Sequence, residues 1–137
     1  MLLRSATARV QRLWNDAPMS VHRLGWLGVR TERFDEMVAL FEDALELVPF
    51  QADDASARYR LDDGTELHVY SPADMNHEFF GSAPVVGFVV DDAARLRRRM
   101  EDAGVEFLTP LETVGGSSWC HFRAPDGNVY EIISRDT

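Results

Sequence analysis

The sequence predicts an α+β fold made of two tandem βαβββ modules, and an internal repeat is the main reason for that prediction. Three short segments of the first half recur in the same order in the second half. They are WLGV at 26–29, EDA at 42–44 and YRLDDG at 59–64, which return as VVGF at 85–88, EDA at 101–103 and FRAPDG at 122–127. The hydrophobic period also changes between strand-like and helix-like in the same order in both halves. One such unit is too small for a good core, so the two modules are expected to pair about a pseudo-twofold axis.

The first module begins with a strand predicted over 21–31. A helix is expected over 32–46, because apolar side chains recur there at helical spacing, and Thr31 is its expected N-cap. Three short strands complete the module, with Asp62-Asp63-Gly64 as the turn before the last of them. The predicted ranges of these strands are 48–52, 57–61 and 66–70.

The second module repeats this order. An apolar strand is predicted at 85–90, and a helix capped by Asp91 or Asp92 is expected to run to Ala103 and to end at Gly104. Strands follow at 105–108, 118–123 and 129–134. Pro125-Asp126-Gly127 marks the last turn. The extra residues of this half lie around Gly115-Gly116, which we interpret as a mobile rim.

The segment 1–20 precedes the first module and shows helical spacing of apolar residues. We expect a helical extension, outside a domain at 21–135 with modules at about 21–72 and 84–135. The helix would dock on the domain or on a partner subunit, which favours a homodimer. A translated extension ahead of Met19 and a membrane-surface helix are the alternatives.

The composition limits the class of protein. A chain of 137 residues with 45% hydrophobic and 27% charged residues fits one ordinary globular domain. Its net charge of −9 disfavours nucleic-acid binding. Cys120 is the one cysteine, which predicts a reducing, cytoplasmic location. No apolar run is long enough for a membrane helix, so no membrane partner is expected.

The motifs "WLGVRT", "PVVGFVVDD" and "HFRAPDGNVYEI" together resemble the vicinal oxygen chelate superfamily. That group includes glyoxalase I, bleomycin-resistance proteins, extradiol dioxygenases and methylmalonyl-CoA epimerase. The resemblance covers about 21–135. It implies that each module curls into half of a barrel, that the curved mixed sheet surrounds a central cleft, and that homodimers are common.

The repeat aligns two pairs of positions, Trp26 with Val85 and His68 with Glu131. A pseudo-twofold axis would bring all four toward one cleft. The resemblance implies that metal-bearing relatives take their ligands from these four positions. His68 and Glu131 suit such a site, whereas the side chains of Trp26 and Val85 cannot bind a metal.

A third ligand is needed for a secure metal site. His121 is one candidate, because strand spacing brings it near Glu131, and His22 and His77 are others. The alternative is that His68 and Glu131 form a buried hydrogen-bonded pair that acts as acid or base.

Two functions therefore stay open. The first is an enzyme of the lactoylglutathione lyase, isomerase or dioxygenase type. In it one divalent metal (Zn, Ni, Mn or Fe), held by His68 and Glu131, assists catalysis. The second is a metal-free protein that sequesters a small apolar or aromatic compound. Trp26, Val85, Trp119 and His121 are the predicted ligand-binding residues in either case.

Overall fold

The computed structural model describes residues 19–135. Most of the predicted extension at 1–20 therefore lies outside the described residues. The strands are β1 (Val21–Arg30), β2 (Pro49–Ala52), β3 (Ser56–Arg60), β4 (Glu66–Tyr70), β5 (Val85–Val90), β6 (Glu106–Phe107), β7 (Glu112–Val114), β8 (Ser117–Arg123) and β9 (Val129–Arg135). The helices are α1 (Phe34–Ala39), which continues into a π-helical turn at Leu40–Ala44, and α2 (Ala93–Asp102).

The chain folds as two compact units. We call Leu24–Gly87 the central unit, and the described residues up to Arg23 together with those from Phe88 onward the flanking unit. The predicted order of elements is confirmed in the first half, and the second half has one strand more than predicted. The boundaries proposed for the modules stay a prediction.

The central unit contains a mixed four-stranded sheet in the order β2-β3-β4-β1. β1 runs parallel to β4, while β3 pairs antiparallel with both of its neighbours. Because strand residues alternate between faces, Ala57, Tyr59 and Val69 share one face and pack there with Phe41 of the helix. The other face is polar and aromatic, and it holds the candidate site.

The helix of the first module is shorter than predicted. α1 begins at Phe34, and its last turn is widened, with the amide of Leu45 donating to the carbonyl of Leu40. The widened turn carries Glu42, whose carboxylate accepts a 2.8 Å hydrogen bond from the buried hydroxyl of Tyr59. Thr31 is not the N-cap, because its hydroxyl accepts from the amide of Arg33 in the turn before the helix.

In the flanking unit β8 pairs with β9, β6 and β7. One face of this sheet packs against α2. The Asp92 side chain caps α2 by accepting from the amide of Arg95, as one of the two expected caps. β7 was not predicted. It forms a hairpin with β8 through Gly115 and Gly116, both at positive φ, so the segment interpreted as a rim is a hairpin turn. Its mobility stays a prediction.

No helix within residues 19–135 is long and apolar enough to cross a membrane.

Candidate functional site

A chain of hydrogen bonds runs along β4 on the face opposite the helix. Period-two alternation places Glu66, His68 and Tyr70 on that face. His68 Nε2 lies 2.9 Å from a Glu66 oxygen, and His68 Nδ1 lies 2.9 Å from the hydroxyl of Tyr70. Arg60 donates to the other Glu66 oxygen at 3.1 Å. Both ring nitrogens of His68 are thus engaged by neighbouring side chains.

The electrostatics fix the direction of these bonds. Burial lowers the pKa of His68 to about 4; the hydrogen bond to Glu66 opposes this, and the charge of Arg58 adds to it. Burial acts to raise the pKa of Glu66, but hydrogen bonds from His68 and Arg60 hold it below its usual value. An ionised Glu66 can only accept, so a neutral His68 donates from Nε2 and accepts at Nδ1 from Tyr70.

Trp26 packs directly against His68. The register pairs Trp26 with Glu66 and Gly28 with His68 across β1 and β4, which places the indole on the same face. The indole and the imidazole meet edge to face with centroids 5.2 Å apart, and the ring of Phe80 also packs edge to face against the indole, at 6.1 Å. Trp26 is 8% exposed. It therefore fills the space beside His68.

The connector after β4 folds back onto this face. His77 stacks on Tyr70 with ring centroids 3.9 Å apart, and His77 Nδ1 lies 2.8 Å from a carboxylate oxygen of Asp74. Arg30 donates to the backbone carbonyls of Pro72 and Asp74. These contacts fix Tyr70 in position beneath His68.

A β-bulge in β2 adds another ring to the face. The register shifts between Pro49 and Gln51, so both Phe50 and Gln51 lie on the side of His68. The ring of Phe50 lies 6.4 Å from that of His68 and is 46% exposed. Arg58 pairs with His68 across β3 and β4, so it shares the face. We call this set the histidine face: Trp26, Phe50, Arg58, Glu66, His68 and Tyr70.

The flanking unit holds a second buried pair. His121 lies opposite Glu131 in the β8–β9 register, with Nε2 3.3 Å from a carboxylate oxygen, and both side chains are buried. The Thr109 hydroxyl accepts from the backbone amide of His121 at 2.9 Å. The expectation that strand spacing brings His121 near Glu131 is thus met.

The remaining predicted residues have simpler surroundings. Trp119 is half-buried opposite Ile133, and Val85 is 1% exposed. Cys120 lies on the opposite face of β8 from His121, and burial raises the pKa of its thiol to about 11. His22 pairs with Asp91. The placement of His68 and Glu131 on one cleft stays a prediction.

The residues present do not fit a catalytic metal. No group of three or more His, Cys, Asp or Glu side chains suited to a metal occurs within the described range 19–135. At the predicted positions, Trp26 and Val85 have no donor atom. His68 would have to give up a hydrogen bond to offer a lone pair.

Residues 23–132 match the family model of the Glyoxalase/Bleomycin resistance protein/Dioxygenase superfamily. The chain belongs to this superfamily. The predicted resemblance and the α+β fold class are both confirmed. The comparison with curated proteins gives no match.

Several solved structures have the same fold as this chain. The Mn(II)-bound glyoxalase from Novosphingobium aromaticivorans has a TM-score of 0.67 and 19% identity over 85% of this chain and 40% of that chain. Methylmalonyl-CoA epimerase from Mycobacterium tuberculosis has a TM-score of 0.64 and 15% identity over 85% and 90%. A superfamily member from Vibrio splendidus 12B01 has a TM-score of 0.62 and 16% identity over 82% and 97%. At these identities the likeness shows the fold alone.

Sequence reasoning missed several residues of the histidine face. Glu66, Tyr70 and Arg58 are not among the predicted site residues, although Glu66-x-His68-x-Tyr70 alternates at the strand period. The Asp62-Asp63-Gly64 turn between β3 and β4 is recognisable in the sequence. That turn sets the pairing of Arg58 with His68, so the signal for Arg58 was present.

Proposed function

We propose that the histidine face binds a small organic molecule with an apolar or aromatic ring, and that it does so without a bound metal. The observation that carries this proposal is the state of His68, which is neutral and hydrogen-bonded at both ring nitrogens. A histidine held in this way offers a ligand a neutral polar contact on this face. The rings of Trp26 and Phe50 on either side of it supply apolar contact.

The test uses 2-naphthamide, a neutral aromatic probe, in buffer that contains EDTA. We expect saturable binding by titration calorimetry that EDTA does not weaken. Phe50→Ala should weaken it, because it removes the exposed ring of this face. Leu45→Ala is the matched control, since Leu45 is an exposed apolar residue of the same unit outside this face. Binding that disappears in EDTA, or that both variants weaken equally, contradicts the proposal.

A metal-assisted lyase, isomerase or dioxygenase is the second candidate function. It would need a further ligand from a partner subunit, because residues 19–135 hold no complete set of metal ligands. The buried pair of His121 and Glu131 favours it, because a carboxylate beside an imidazole suits proton transfer. In this proposal Glu131 and His68 are the catalytic residues, and Trp119 and Val85 line the site. Elemental analysis of the purified protein, with thermal shift against Ni, Zn, Mn and Fe(II), tests it. A stoichiometric metal would favour this function over the first.

A cytoplasmic homodimer remains part of the proposal. Exposed apolar side chains at Leu40 and Val48 support an association surface, and the thiol of Cys120 is compatible with a reducing compartment. Light scattering at micromolar concentration tests the dimer, and a monomeric mass would contradict it.

A further inference from the structure

Arg58 differs from the other arginines of the central unit. Arg30, Arg33 and Arg60 each donate to acceptors within that unit. Arg58 makes no hydrogen bond or salt bridge to any described residue, 19–135. It is nevertheless half-buried, and its Nε is screened from solvent without an acceptor. A buried N–H without an acceptor is unfavourable by itself, because it has lost water and gained no hydrogen bond.

The position of Arg58 suggests what kind of group could accept its hydrogen bonds. Arg58 lies opposite His68 on one side and opposite Gln51 on the other, so it projects from the middle of the histidine face. Next to Gln51 the bulge presents the ring of Phe50, which is 46% exposed and has the Arg60 guanidinium over one face, 4.4 Å from the ring centre. A cation and an exposed aromatic ring therefore lie side by side on one surface.

We propose that Arg58 recognises an anionic group of the ligand, a carboxylate attached to an aromatic ring that lies against Phe50. This inference rests on the proposed function and adds the charge of the ligand to it. A guanidinium binds a planar carboxylate through two parallel hydrogen bonds, which supplies the acceptors that Arg58 lacks.

Charge favours a monoanion over a phosphate. Arg58 is the cation that offers hydrogen bonds here, because Arg60 is already paired with Glu66 and lies over the ring of Phe50. Glu66 and Asp53 are acidic groups close to the site, and the whole chain carries a net charge of −9. A dianion would be repelled more strongly than a carboxylate by these charges.

The test compares 2-naphthoate with its neutral counterpart 2-naphthamide by titration calorimetry of the full chain. We expect the naphthoate to bind about 10- to 100-fold more tightly, because its hydrogen bonds to Arg58 are charge-assisted. Arg58→Gln should remove this preference while affinity for the amide stays the same. Arg33→Gln is the control, since Arg33 is exposed and paired with Glu36, and it should change neither affinity.

Each other outcome contradicts the inference in a distinct way. Equal affinity of the two probes for the native protein overturns it and leaves the binding proposal standing. No binding of either probe overturns both. If Arg58→Gln and Arg58→Lys each lost the same affinity for both probes, Arg58 would be a purely structural residue. The thermal unfolding temperature shows whether the Arg58→Gln variant is still folded. Arg58→Gln should unfold at the same or a higher temperature, because the buried Nε–H that lacks an acceptor is removed.

Discussion

The indole of Trp26 lies directly over Gly28, two residues along the same strand. A Cβ built on Gly28 would fall 2.0 Å from Cη2 and 2.6 Å from Cζ3 of that ring. The ring cannot move away without cost, because it is buried and packs against both His68 and Phe80. The missing side chain at Gly28 therefore leaves the space in which Trp26 lies against His68.

Gly28→Ala is expected to destabilise the fold by about 1–3 kcal/mol, because the new methyl group overlaps the indole. Urea unfolding measures this change. Gly81→Ala is the control, since a Cβ there meets nothing within 4 Å. Trp26→Leu combined with Gly28→Ala should recover part of the loss, because the ring that causes the overlap is gone. A cost for Gly28→Ala no larger than that for Gly81→Ala would contradict this packing.

The buried His68 predicts a pH dependence of stability. Its pKa is about 4 in the folded chain, against an ordinary histidine value of 6.5, so the unfolded chain binds a proton more readily. The contribution of His68 is fully present above pH 6.5 and is lost as the pH falls from 6.5 toward 4. Between pH 7 and 4.5 the loss should be about 2–3 kcal/mol.

Urea unfolding at both pH values, in the native protein and in His68→Gln, isolates this contribution from that of the carboxylates. The decline with falling pH should be smaller in the variant. Equal declines in the two proteins would show that His68 binds its proton equally well in the folded and unfolded chains.

The hydrogen bond between Tyr59 and Glu42 predicts an asymmetry between its two partners. Tyr59 is fully buried, whereas Glu42 is half-buried. Glu42→Ala leaves a buried hydroxyl without its acceptor and should cost about 1–3 kcal/mol. Tyr59→Phe removes the hydroxyl itself and should cost about 1 kcal/mol. Urea unfolding of both variants checks the order, and a larger cost for Tyr59→Phe would contradict it.

The fold was largely predictable because its signals are local. Turn sequences such as Asp62-Asp63-Gly64 and alternating apolar residues mark the strands, and the repeat fixes their order. The π-helical turn at Leu40–Ala44 was not predictable, since an α-helical pattern gives no sign of a locally widened turn. β7 was missed because Gly115-Gly116 suits a mobile loop as well as a hairpin turn.

The site was predictable only in part. The turn at Pro125-Asp126-Gly127 places His121 opposite Glu131, and strand spacing was enough to expect that pair. The state of His68 depends on burial and on partners from β3 and β4, which no single segment of the sequence reveals. Phe50 reaches the histidine face only through a bulge, and alternation alone gives no sign of one.

The final prediction concerns metal affinity on the histidine face. Trp26 pairs with Glu66 in the β1–β4 register, and His68 lies next to both, so Trp26→His would place an imidazole beside a second imidazole and a carboxylate. Two histidines and one carboxylate are a sufficient donor set for several divalent metals. We expect the native protein to bind Ni or Zn more weakly than about micromolar, and Trp26→His to bind at least about tenfold more tightly. Calorimetry measures both. Trp26→Phe, which removes the indole but adds no donor, should show no gain. Tight stoichiometric metal in the native protein, or no gain in a folded Trp26→His variant, would contradict this account of the face.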